Sequence, residues 1–157
     1  MKKILGYLIL ILLLISLTCC SFSNTHTNKD IFHYKNSYVG NNSAVGSIIK
    51  RLPNHNEFTK MSLQTKKKPY SITIEYKNLP ANTKNIIINN ATYLFALIQN
   101  VESIVFDFAD QKYTVTRQQL DEWYGKDLSS YTNEKELEKL IHSNLNNKNK
   151  IGQLFRK

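Results

Sequence analysis

The sequence predicts an α+β domain: a small, mostly antiparallel four-stranded sheet of two hairpins, packed with helices in the order α-β-β-α-β-β-α-α. Three observations predict it. Two pairs of short segments, around 61–76 and 103–115, alternate apolar and polar residues, the periodicity of strands with one wet face. An apolar stripe at helical spacing lies between them over 87–98. Turn and cap residues occupy the joints. Hydrophobic residues make up 41% and charged residues 21% of 157 positions, a balance that excludes wholesale disorder, collagen and coiled coil. The length suits one domain, at about 150 residues per domain.

The first element is an address. Lys2 and Lys3 precede an apolar run over 4–17, broken only by Gly6, Tyr7 and Ser16. A bilayer core needs about 20 apolar residues, so a charged start and a shorter run read as an export signal. Leu17-Thr18-Cys19-Cys20 has the layout of a lipobox and resembles bacterial lipoproteins. The resemblance implies cleavage before Cys20 and a diacylglyceryl group on its thiol, with Cys19 as the alternative site. An uncleaved anchor helix is the other reading; both place the remainder outside the cytoplasm. Adjacent cysteines cannot staple a fold, so a disulfide scaffold is excluded.

The chain then divides into a signal over 1–19, a lipidated cysteine with a flexible tether over 20–30, a single domain over 31–143 and a polar, basic tail over 144–157. The tether is polar apart from Phe22. Apolar content resumes at Ile31 and Phe32. Gly40, Asn41, Asn42 and Ser43 supply a turn and an N-cap for a helix carrying Ala44, Val45, Ile48, Ile49 and Leu52, which Pro53 stops. Met61, Leu63 and Thr65 alternate with polar residues, as do Tyr70, Ile72, Ile74 and Tyr76 beyond Pro69. Asn82 or Thr83 caps the central helix of Ile87, Ala91, Leu94 and Ile98, widened by Ile88, Phe95 and Leu97. Ile104, Phe106 and Phe108 alternate, Asp110 turns the chain, and Tyr113 and Val115 return it. Thr116 caps a helix over 117–124 that ends at Gly125. A last helix spans 134–142, and the polar stretch beyond it reads as frayed, with Ile151, Leu154 and Phe155 available to dock.

These residues also carry a family resemblance. The run from Tyr34 through Lys35, Asn36, Ser37, Tyr38, Val39, Gly40, Asn41 and Asn42 to Ser43 is similar to the opening of the family catalogued as domain of unknown function 4825. Leu63-Gln64-Thr65-Lys66, Pro69-Tyr70, Ile74 and Tyr76 are similar to its first hairpin. Residues 90–101 resemble its central helix, and residues 113–128, with Tyr124-Gly125, its closing part. The resemblance covers residues 31–141. It implies an extracytoplasmic protein of Gram-positive bacteria, often lipid-anchored, and supplies no catalytic residues.

The search for chemistry returns no complete set. His26, His33, His55 and His142 show no i, i+4 pair, so no helical zinc site is expected. Ser47-Ile48-Ile49-Lys50 matches the Ser-x-x-Lys of penicillin-recognising enzymes, and Tyr131-Thr132-Asn133 resembles a second element of that set, but the Lys-Thr-Gly element is missing. An amphipathic helix accounts for the first match. Asp107 and Asp110 flank a turn, and Asp121 and Glu122 lie on a helix. No catalytic residue, cofactor or metal is expected.

Lys+Arg number 21 against 12 Asp+Glu, a net charge of +9, which loss of Lys2 and Lys3 reduces to +7. Lys66-Lys67-Lys68 and Lys148, Lys150, Arg156 and Lys157 hold much of it. Outside a cell the available polyanions are envelope polymers and lipid headgroups, so nucleic acid is not the expected partner. The reading is a non-enzymatic, membrane-anchored binding module for a protein, peptide or anionic envelope polymer. Its candidate surface is Tyr34, Tyr38, Gly40, Asn41 and Asn42. The alternatives are a small envelope hydrolase with a dispersed site and a structural envelope lipoprotein.

Overall fold

Alternation sends every second side chain of a strand to one face, and in this chain the two most regular strands lie side by side. The computed structural model describes residues 30–156; the expected signal, Cys19, Cys20 and the expected tether to residue 29 lie outside them. Four strands form one sheet in the order β1 (Phe58–Gln64), β2 (Ser71–Tyr76), β3 (Ser103–Phe108), β4 (Gln111–Thr116). β1 with β2 and β3 with β4 are antiparallel hairpins. The middle pair is parallel, from Ser71 opposite Ser103 to Tyr76 opposite Phe108. The sheet is thus mixed and mostly antiparallel, and the α+β order holds.

One face is apolar: Ile72, Ile74, Tyr76, Ile104, Phe106, Phe108 and Val115 are buried. Each such side chain contributes about 1.5–3 kcal/mol by leaving water. The other face is polar and carries a charged row, Lys60–Glu75–Asp107–Lys112. Lys60 pairs with Glu75 at 3.5 Å and Lys112 with Asp107 at 2.7 Å. β1 begins three residues before the alternating run that betrays it, because a register shift between Phe58 and Lys60 breaks the period.

Five helices cover the apolar face: α1 (Asn42–Ile49), α2 (Thr83–Leu97), α3 (Arg117–Tyr124), α4 (Glu134–Leu145) and α5 (Lys148–Leu154). α2 links β2 to β3 and buries residues on all sides, among them Ile87, Ala91, Leu94 and Phe95. It packs against α1, α4 and the turn Leu128–Ser130 as well as lying over the sheet. Its three buried polar side chains each make a hydrogen bond: Thr83 Oγ1 donates to Pro80 O, Thr92 Oγ1 donates to Ile88 O at 2.6 Å and meets Tyr124 Oη at 3.0 Å, and Asn90 Nδ2 donates to Pro53 O at 3.0 Å while its Oδ1 has no partner.

The caps follow local chemistry. Asn41 Oδ1 accepts from Ala44 N at 3.0 Å. Thr116 and Gln119 form a reciprocal capping box, and Gly125 ends α3 at φ +69°, a conformation that favours glycine. One expectation is corrected. Residues 144–150 are not frayed: α4 runs on to Leu145, Asn147 caps α5 and Trp123 Nε1 donates to Lys150 O at 2.8 Å, while Ile151 docks into the core. The Lys- and Asn-rich composition hides this helix, because a cap, one buried side chain and a tertiary hydrogen bond hold it.

Candidate functional site

The expected surface begins where the chain leaves the turn Ile31–Tyr34. Asn36 adopts φ 67°, a left-handed conformation asparagine tolerates, and brings Ser37 beside the end of α2. Ser37 pairs with Ile98 as an isolated parallel bridge: Ser37 N donates to Leu97 O at 3.1 Å and Gln99 N to Ser37 O at 2.9 Å. Val39 is fully buried, and its N–H donates to Asn100 Oδ1 at 2.8 Å. Between these clamps Tyr38 stands 57% exposed. Gly40 and Asn42 are exposed beside it.

Tyr38, Gly40, Asn41 and Asn42 therefore come together. Asn41 spends its side chain as the cap of α1. Tyr34 does not join them: it is half-buried, its ring tilted against that of His33 with centres 3.7 Å apart, and covered by the Arg51 guanidinium at 5.1 Å. A Cβ added at Gly40 would meet nothing within 4 Å, so this glycine holds no close approach.

The base of the loop is held by two cations that sequence reasoning missed. Lys35 Nζ donates to Ala96 O at 2.7 Å and Ser129 O at 2.6 Å. Arg117 donates to Val101 O at 3.0 Å, Phe95 O at 2.8 Å and Ile98 O at 2.7 Å. Both occupy the C-terminal end of α2, where carbonyls lack intrahelical donors and the helix dipole favours positive charge. Burial lowers the pKa of each; Asp127 opposes the shift at Lys35, and Asp121, Asp127 and Glu102 oppose it at Arg117. Asp127 is held below the usual carboxylate range by its hydrogen bonds to Ser129, helped by Arg117 and Lys35. No local pattern signals these contacts, which span up to 94 positions of sequence.

Of the residues weighed for catalysis, Ser47 and Lys50 lie at the C-terminal end of α1 and no hydrogen bond joins them. Ser47 is half-buried on α1, and Lys50 is exposed at its C-terminal cap. Asn133 caps α4 through Glu136 N at 3.0 Å. His33, His55 and His142 are exposed, and His26 is outside the described residues. Among the described residues no group of three His, Cys, Asp or Glu side chains is arranged to hold a metal, and no helix is long and apolar enough to cross a membrane.

A second feature was invisible in sequence. A cleft of about 190 Å³ opens between α2 and α4, lined by Ile31, Asn89, Tyr93, Glu134, Glu138 and His142 among others. Tyr93 Oη donates to Glu134 Oε1 at 3.4 Å. Burial, then Asp30 and Glu138, raise the pKa of Glu134, so its carboxyl holds a proton to higher pH than a solvated glutamate. Burial also pushes the Tyr93 phenol well up.

The family model described as Domain of unknown function (DUF4825) matches residues 31–118. Among curated proteins and solved structures, none matches the chain. The match runs from the turn at Ile31 through the Tyr38 loop, α1, both hairpins and α2 to the start of α3, so it contains the candidate surface and the whole sheet. With more than half its length in that match, the chain belongs to the DUF4825 family.

Proposed function

We propose that the protein is a lipid-anchored, extracytoplasmic binding module without enzymatic activity. Its diacylglyceryl anchor is on Cys20, and it engages a protein, peptide or anionic envelope polymer through the loop centred on Tyr38. The observation that carries the reading is the exposure of Tyr38 on a backbone clamped at Ser37 and Val39. A tyrosine presents a large amphipathic surface, and a fixed loop loses little entropy on binding. The lipobox at residues 17–20 supports the compartment.

The test is crosslinking in intact cells, with the captured partner identified from the parent protein and from Tyr38→Ala. Capture should fall at least tenfold in Tyr38→Ala, the loss of one central aromatic contact. Undiminished capture by Tyr38→Ala removes this surface. Labelling of Ser47 by a serine-reactive probe replaces the reading with that of an envelope hydrolase.

A further inference from the structure

A groove of about 690 Å³ runs between the first turn of α2 and the junction of α4 and α5. Tyr113, Leu145 and Ile151 line its apolar part, and Leu79, 50% exposed, stands on the loop that enters α2. Lys84 from α2 and Lys148 from α5 contribute its charge. Lys84 Nζ lies 5.5 Å from the centre of the Phe155 ring. Among the described residues no carboxylate is within ion-pair distance of either lysine. The acidic groups at this end of the sheet are otherwise engaged or peripheral: Glu57 accepts from Asn78 at 2.7 Å, Asp107 pairs with Lys112, and Asp110 lies in the β3–β4 turn.

We propose that this groove and the Leu79 loop dock on an anionic lipid surface. Lys84 and Lys148 take headgroup phosphates, and Leu79 enters the boundary with the acyl chains. An exposed leucine beside cations that no carboxylate neutralises is complementary to such a surface, the leucine to its acyl boundary and the cations to its headgroups. The nearness of the membrane rests on the anchored reading given above. About ten residues separate Cys20 from Asp30, a reach of about 33 Å when extended. Asp30 and Glu134 line one shallow cleft, and Glu134 is bonded to Tyr93. From Tyr93 to Thr83 along α2 is about 15 Å, so the groove lies within the tether's reach.

The test uses the mature chain with Cys20→Ser, which keeps every residue of the core cluster and carries no lipid. Sedimentation with vesicles measures its partition. It should bind vesicles of equal parts phosphatidylglycerol and phosphatidylcholine and not vesicles of phosphatidylcholine alone. Lys84→Glu with Lys148→Glu should cut that partition about 25-fold, about fivefold for each basic residue lost from the surface. Leu79→Ser should cut it about fivefold. Lys66→Glu with Lys67→Glu is the control. That hairpin tip lies about 20 Å away along six-residue β2, beyond the Debye length, and its reversal should change partition less than about twofold. Circular dichroism confirms that each variant is folded.

Absence of binding to the anionic vesicles overturns the proposal, as does an equal loss from the hairpin-tip control. A dimer in solution that Leu79→Ser dissolves makes the groove an interface between copies and overturns it too. Failure of the wild-type chain to take up labelled lipid in cells counts against the anchor reading alone, because the vesicle measurement does not use the anchor.

Discussion

Arg117 donates from Nη1 to the carbonyl of Phe95 at 2.8 Å and lays its guanidinium over the same residue's ring, 5.1 Å from its centre. With Ile98 and Val101 as further acceptors, one side chain ties the β4–α3 joint to the end of α2. Arg117→Ala leaves three part-buried carbonyls without this donor and should cost about 3 kcal/mol. Arg117→Lys retains the charge, loses the fork geometry and should cost about half as much. The check is a lower urea midpoint at unchanged slope.

Glu134 makes stability depend on pH. Its folded pKa lies above the ordinary 4.5, chiefly through burial and then through Asp30 and Glu138. Its contribution is therefore fully present below the unfolded pKa and is lost as pH rises through the folded value. Glu134→Gln removes that loss, so its stability relative to the parent should rise by about 0.5 kcal/mol above this window, the scale of a partly solvated carboxylate. Denaturant midpoints of both proteins, measured from acid to neutral pH, read the difference.

Trp123 is the sole tryptophan, and it is half-buried against α5 with Lys150 Nζ 4.6 Å from the centre of its ring. Ile151→Asp places a charge in the buried seam of that helix and should destabilise the protein by about 3 kcal/mol or detach α5. Detachment shifts Trp123 emission to the red without loss of the sheet signal in circular dichroism.

Cys20→Ala should abolish incorporation of labelled lipid in growing cells, and globomycin should block processing of the wild-type chain. Lipid incorporation that survives Cys20→Ala assigns the modification to Cys19.

Periodicity made the hairpins and α2 legible. Ile72, Ile74, Phe106 and Phe108 alternate without interruption, and Thr116 and Gly125 bracket α3 by local cap chemistry. The parallel pairing of β2 with β3 was not legible, because two hairpins can be joined either way and no local residue chooses. Ser37 and Val39 set the Tyr38 loop by contacts with Ile98 and Asn100, so sequence located that surface and could not show why it is rigid, nor that Tyr34 turns away to Arg51. Lys35, Arg117, Tyr93 and Glu134 were missed for one reason: each acts through a residue distant in the chain.

The parallel register of Tyr76 with Phe108 also sets an order of assembly. Each hairpin closes a short loop and can form from its own residues, on a timescale of microseconds. Their union must wait for residues 77–102 to wind into α2 and close a longer loop, which contact-order arguments make the slower step. A chain that emerges N-terminus first therefore carries β2 with one unpaired edge until residue 108 has followed. That edge, Ser71–Tyr76, alternates Ile72, Ile74 and Tyr76 on one face, the pattern most prone to pair with a neighbouring chain. The nascent protein is thus most open to wrong association in the interval between its two hairpins.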